Sequence, residues 1–104
     1  MNPVSPLPVS RDASLGAALE ALRSNRPLRA EEICRSYLET NPGSIEHLRM
    51  LGTALMKQGR YPESEQTLRL AVALQADNPH LHEDLGSVLA LQDRYEPSLP
   101  SGRA

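Results

Sequence analysis

A near-repetition at a distance of 34 residues restricts the fold of this chain more than any other feature. The stretch LGTALMKQGRYPES begins at Leu51, and LGSVLALQDRYEPS begins at Leu85. Seven of these fourteen positions carry identical residues. A unit of about this length holds one helix–turn–helix, which buries its apolar face only by packing on further copies. The repetition therefore predicts an array of helix hairpins.

Apolar residues recur at helical spacing in five segments, separated by the turn sequences SNRP, NPGS, QGRY and DNP. The predicted helices cover about 12–23, 28–40, 45–58, 62–75 and 80–92. In the first helix the recurring apolar residues are Ala13, Ala17, Leu19, Ala21 and Leu22. No stretch has the alternating pattern of a strand, so the fold class predicted is all-α.

Glycine and proline mark the ends of these helices and one packing contact. Pro27 is expected to lie outside a helix, and Pro62 to open one in its first turn, where the missing N–H costs little. Gly59 is expected to close the third helix. Gly52 and Gly86 are expected to let the two helices of a hairpin approach closely.

The flanks of the array are proline-rich. Residues 1–10 contain three prolines and are predicted to be a disordered tail. The repeat domain spans 11–96, and 97–104 is predicted to be a second disordered tail. Pro97 and Pro100 prevent a sixth helix there, so the array holds two and a half repeats.

Composition excludes several functions. Eleven basic and thirteen acidic residues leave a net charge of −2, which does not favour nucleic acid or an anionic membrane. Cys34 is the only cysteine, so neither an intramolecular disulfide nor a Cys-pair zinc site is possible, and its inward position predicts a buried structural thiol. A signal peptide pattern and a long apolar run are absent, which predicts a cytoplasmic protein.

Motifs for catalysis are also missing. The stretch HLHED lacks the second histidine of an HExxH zinc motif, and residues two apart on a helix face different directions. No Gly-rich phosphate loop or nucleophile–base set stands out. The sequence therefore predicts no enzyme activity, no metal and no cofactor.

The 34-residue helix–turn–helix period resembles the tetratricopeptide repeat. With position 1 of each unit at Arg11, Ile45 and Pro79, Leu51 and Gly52 match the large and small residues that the family carries at positions 7 and 8. The resemblance covers about 11–96, in units 11–44, 45–78 and an incomplete 79–96. It implies a right-handed superhelix in which the first helix of each unit lines a concave groove.

The resemblance also implies which side chains face that groove. The groove residues carried over are Leu19, Leu22, Arg23, Arg49, Met50, Thr53, Met56, Lys57, Glu83, Asp84 and Ser87. They form an apolar strip edged by charge, and methionine suits a surface that adapts to an apolar partner. We therefore expect a scaffold or adaptor that binds a helix or extended segment of a partner protein. Ordinary helix surface is the alternative interpretation.

Some members of the family hold a chaperone's terminal carboxylate with Lys, Arg and Asn side chains. The matching positions here hold Leu15, Leu19, Met50, His80 and Asp84, so this use is not expected.

Two other functions remain open. The outward face of the fifth predicted helix is apolar, and a symmetric dimer could form there through Val88, Leu89, Leu91 and Tyr95. Alternatively, the phrases AEEICRSYLETNP and HLHEDLGSVLALQDRYE resemble bacterial repeat segments that precede sulfotransferase or glycosyltransferase domains. The chain would then be an accessory segment of a larger enzyme.

Overall fold

The computed structural model describes residues 10–95, and they form five helices and no strand. The helices are α1 (Arg11–Arg23), α2 (Pro27–Thr40), α3 (Ile45–Lys57), α4 (Tyr61–Leu74) and α5 (Pro79–Tyr95). Each helix packs against the next, and α3 also contacts α1 and α5. This arrangement confirms the predicted all-α array of helix hairpins. The two predicted tails lie outside the described residues, apart from Ser10 at the start of α1.

The helix ends agree with the prediction to within one residue, except at the end of α5. Pro27 is the first residue of α2 rather than part of the preceding turn, because the first position of a helix needs no N–H donor. Helix α5 continues three residues beyond Gln92, to Tyr95. Gly59 follows α3 with a φ of +79°, which confirms that this glycine ends the helix in a left-handed conformation.

The core is built from small and aliphatic side chains at the helix crossings. The fully or almost fully buried apolar residues are Ala18, Ala21, Ala30, Cys34, Leu48, Leu51, Ala54, Leu55, Leu68, Ala71, Leu81 and Val88. In α1 the buried face consists of Ser14, Ala18 and Ala21. The apolar residues Ala13, Ala17 and Leu19, which recur at helical spacing, are exposed instead.

The predicted close approach at glycine is confirmed at Gly52, whereas the partner helix expected at Gly86 would lie outside the described residues. A Cβ atom added to Gly52 would lie 2.9 Å from both Cγ and Cδ2 of Leu68 in α4, and Ser64 Oγ donates a hydrogen bond to the Gly52 carbonyl at 2.6 Å. None of the described atoms lies within 4 Å of the same point at Gly86. The described residues end at Tyr95, so they include no helix that could cross α5 there.

A buried polar cluster joins the first two units. The imidazole of His47 is fully buried, with Nδ1 2.7 Å from Ser44 Oγ and Nε2 2.8 Å from Ser14 Oγ. Its ring stacks on that of Tyr37 with centroids 3.9 Å apart. Both nitrogens therefore have partners, as a buried polar group requires. Burial, which disfavours the charged form, lowers the pKa of His47, with Arg11 acting in the same direction and Glu46 against it.

This pKa shift predicts a pH-dependent stability. His47 binds a proton less readily in the folded than in the unfolded chain. Its contribution to the free energy of unfolding is therefore complete above the unfolded pKa of 6.5 and decreases as the pH drops towards the folded pKa. The slope for one proton cannot exceed about 1.4 kcal/mol per pH unit. Urea unfolding between about pH 7.5 and pH 5.5 measures it. The slope should be much smaller in His47→Gln, which has no group that titrates there; an equal slope would contradict the assignment.

A second polar cluster holds α2 to the turn between α3 and α4. Glu31 is almost fully buried; its Oε1 accepts hydrogen bonds from Gln58 Nε2 at 3.0 Å and Arg60 Nη1 at 2.8 Å. Its Oε2 accepts from Arg35 Nε at 2.8 Å. Burial opposes ionisation, but the hydrogen bonds from Gln58, Arg35 and Arg60 lower the pKa of Glu31 overall. The carboxylate is therefore held charged between three donors.

The same cluster recurs one period later. Glu65 is 34 residues after Glu31, and it accepts from Gln92 Nε2 at 2.6 Å and from Arg69 Nε at 2.8 Å. The hydrogen bonds from Gln92 and Arg69 lower the pKa of Glu65. In both α2 and α4, a glutamate thus binds the glutamine at or near the end of the helix that follows. The sequence repetition at Gln58 and Gln92 is explained by this contact.

Candidate functional site

The candidate site is the surface formed by α1, α3 and α5, the first helices of the three units. Helix α3 lies in the middle and contacts both of the others, while α1 and α5, both within the described residues, do not contact each other. The predicted groove residues of α3 lie on the side opposite Leu48 and Leu51. The predicted groove would therefore run along α3, between α1 and α5.

Apolar side chains form a strip along α1 and α3. Leu19 is 47% exposed, and Leu22 is half-buried against the cluster of Ala21, Ala30 and Ala54. Met50 and Met56 are also half-buried, and Met50 packs against a core cluster that includes Leu51 and Leu55. Each of these four side chains keeps part of its surface accessible. Leu19 is the most exposed of them, and it is anchored by no core cluster.

Two residues predicted as groove charges are paired with each other. Arg49 Nε donates to Asp84 Oδ2 at 2.7 Å, joining α3 to α5. The side chains of both are only partly exposed. Thr53 Oγ1 donates to the Arg49 carbonyl at 3.1 Å, so its hydroxyl hydrogen is engaged as well. Glu83 and Ser87, by contrast, are exposed. The α5 side of the groove is therefore polar and partly closed by an ion pair.

The two ends of the groove differ in charge. Arg23 and Lys57 lie 34 residues apart in the last turns of α1 and α3, and both are exposed. Among the described residues neither has an ion-pair partner. At the opposite end, Asp12 and Glu46 lie in the first turns of the same helices. Glu46 is paired with Arg11 at 3.5 Å. The apolar strip thus ends at two unpaired cations.

The predicted dimer surface on α5 is less apolar than expected. Val88 is fully buried, so it cannot be part of an exposed surface. Leu89 is 39% exposed, as a surface position requires, and Leu91 is half-buried. The structure describes the backbone of Tyr95 but not its side chain. Exposed apolar area on this part of α5 is therefore concentrated at Leu89.

Two groups that could carry chemistry, Cys34 and His47, are buried. Cys34 is fully buried, and burial raises its pKa to about 11, so the thiol stays protonated near neutral pH. Among the described residues, no three His, Cys, Asp or Glu side chains are grouped so that they could hold a metal ion. His47 is taken up by its two serine contacts. The expectation of a buried structural cysteine is confirmed.

Sequence reasoning missed three features around this site. The contacts between Ser14 and His47 and between Arg49 and Asp84 each join residues more than 30 positions apart. The third feature is an apolar cleft between α2 and α4. A spacing of 33 or 35 residues brings side chains of successive first helices together, and this is the signal that could have found the two contacts.

Comparison with known proteins gives one match. The family model of the tetratricopeptide repeat matches residues 21–91, which is about two thirds of the chain. No curated protein and no solved structure matches the chain. None of the helices in residues 10–95 is long and apolar enough to cross a membrane.

Proposed function

The chain belongs to the tetratricopeptide repeat family, and we propose that it is a non-catalytic module that binds a segment of a partner protein in the α1–α3–α5 groove. Repeats of this family are protein–protein interaction modules, and stacked hairpins offer an extended concave surface. The main support for this proposal is the apolar strip on that surface, which consists of Leu19, Leu22, Met50 and Met56. An apolar anchor of the partner would be desolvated there.

The charges at the groove ends suggest the form of the segment. Arg23 and Lys57 lack partners within the described residues and lie next to Leu22 and Met56 in sequence. An acidic side chain close to the apolar anchor would pair with them. The Arg49–Asp84 pair is neutral overall, so the exposed carboxylate of Glu83 is the charge that remains on the α5 side of the predicted groove. We therefore propose a short amphipathic segment with one or two large apolar residues followed by an acidic residue.

A displayed random-peptide library tests this proposal, with short random segments in place of the partner. Selection on the immobilised chain should enrich peptides with an apolar anchor and a neighbouring acid. Met56→Glu places a negative charge in the strip and should weaken binding of such a peptide at least about tenfold, or about 1.4 kcal/mol. Lys57→Glu should weaken it less, and mainly at low salt. Fluorescence anisotropy measures both.

Leu28→Glu is the matched control. Leu28 is exposed on α2, outside the groove, so the same apolar-to-acid change should leave the affinity unaltered. Far-ultraviolet circular dichroism establishes that each variant is folded. Equal affinities for the native chain, Met56→Glu and Lys57→Glu would contradict binding in the groove. Enrichment of basic peptides would contradict the role given to Arg23 and Lys57.

A further inference from the structure

A second apolar surface lies on the opposite side of α3 from the groove. Helices α2 and α4 both pack on α3 but, within the described residues, do not contact each other. Between them is a cleft of about 390 Å³, which includes Arg35, Leu38, Pro42, Leu48, Leu51 and Leu70 in its lining. The floor is formed by Leu48 and Leu51, whose side chains belong to the core. The core is thus reached directly from this cleft.

The α4 wall of the cleft carries unusually exposed leucines. Leu70 is 59% exposed, and Leu74, one helical turn later, is 54% exposed. They are the most exposed large apolar side chains of α4, and Leu89 on α5 is less exposed than either. Leu70 lines the cleft, and Leu74 lies one turn further along the same face of α4, so the exposed apolar area extends beyond the cleft. Contiguous apolar patches of this kind usually mark an interaction surface.

The rim of the cleft carries one charge of each sign. Arg35 and Glu39 both line it, one turn apart on α2. Arg35 Nε is bonded to Glu31, but its side chain remains 49% exposed and has further N–H donors. Glu39 is exposed and has no ion pair among the described residues. If two copies of α2 meet antiparallel across a two-fold axis, each Arg35 faces the other copy's Glu39.

We propose that this cleft binds a second copy of the chain in a symmetric dimer. Leu70 of each copy enters the cleft of the other, and two Arg35–Glu39 pairs form across the axis. A two-fold interface requires a surface that is complementary to itself. This surface meets the requirement, because it has an exposed leucine, a cleft that accepts leucine and charges of both signs. The interface differs from the α5 surface that the sequence suggested. It also leaves both peptide grooves open, so the dimer is bivalent.

Analytical ultracentrifugation of the native chain tests the association. Between about 1 µM and 1 mM, a range that covers weak dimers, the mass should rise from 11.4 kDa towards twice that value. Leu70→Glu should abolish the rise, because it places a charge in the apolar contact. Leu89→Glu, the matched change on α5, should not affect it. A native chain that stays monomeric overturns the proposal, as does loss of association in Leu89→Glu but not in Leu70→Glu.

A charge-complementation experiment tests the two-fold axis. Arg35→Glu gives a rim with two acids, and Glu39→Arg gives a rim with two bases, so each variant alone should associate at least about tenfold more weakly. Mixed in equal amounts they should form a heterodimer. Gln58 and Arg60 remain available to bond Glu31 in Arg35→Glu, and circular dichroism establishes whether this variant is folded. If both variants associate more weakly than the native chain and mixing them does not restore association, the proposed pairing is wrong.

Discussion

Replacing Gly52 by valine is expected to destabilise the fold by about 2–3 kcal/mol. The added side chain would overlap Leu68, whose Cγ and Cδ2 lie 2.9 Å from the position of the new Cβ. Leu68 is 1% exposed, and because buried side chains are close-packed, it cannot turn away without displacing its neighbours. The hydrogen bond from Ser64 to the Gly52 carbonyl holds α4 at the same crossing. Urea unfolding measures the loss.

Gly86→Val is the matched control, because Gly86 occupies the same position one period later. No described atom lies within 4 Å of its added Cβ, so the change should alter the free energy of unfolding by no more than about 0.5 kcal/mol. In the double variant Gly52→Val/Leu68→Ala, the valine occupies space that the leucine vacates. Its loss of stability should therefore be smaller than the sum of the two single losses, by about 1 kcal/mol or more. Similar losses at Gly52 and Gly86 would contradict the packing argument.

The two glycines illustrate what the repetition in the sequence can predict. It predicts the helices and their order correctly, because helix formation depends on local spacing, turns and caps. Contact at a glycine depends on the helix that crosses it, and for Gly86 the described chain provides none. A repeat position alone therefore does not predict the contact that a glycine makes. Pro27 is a smaller case, since one position decides whether proline breaks or begins a helix.

The packing of α1 depended on a residue far away in sequence. Periodicity pointed to Ala13, Ala17 and Leu19, yet Ser14 is buried and these three are exposed. A buried serine is stable only with a hydrogen-bond partner, and Ser14 finds it in His47. Apolar spacing alone cannot identify such a pair.

The candidate groove was predictable in outline from the repeat positions, because they specify which helix face a residue occupies. Pairing between helices was not, since it depends on the rotation of one unit against the next. Arg49 and Asp84 therefore looked like two separate groove charges. The cleft was missed for a related reason. The sequence did not single out Leu70 and Leu74, and their exposure depends on the separation of α2 from α4.

The two interfaces between units use the same positions with different chemistry. Adding 34 to Ser14, Tyr37 and His47 leads to Leu48, Ala71 and Leu81, which form a buried apolar cluster. The first interface thus has a polar cluster where the second has an apolar one. Both occupy equivalent places in the hairpin array, so the apolar set should also fit the first interface. This equivalence predicts the effect of exchanging them.

At about pH 7.5, His47→Leu alone should cost roughly 1–3 kcal/mol, because it leaves the buried Ser14 hydroxyl without its partner. The triple variant Ser14→Leu/Tyr37→Ala/His47→Leu copies the second interface and should recover most of that loss. The buried Ser14 hydroxyl is then absent, and Ser44, which also loses His47, is only half-buried and can bond to water. Its stability should also become nearly independent of pH between about 7.5 and 5.5. Urea unfolding of the three proteins at both pH values measures these differences. A triple variant less stable than His47→Leu would mean that the two interfaces are not equivalent, whereas recovery with a flat pH profile would assign the acid sensitivity of the array to this one cluster.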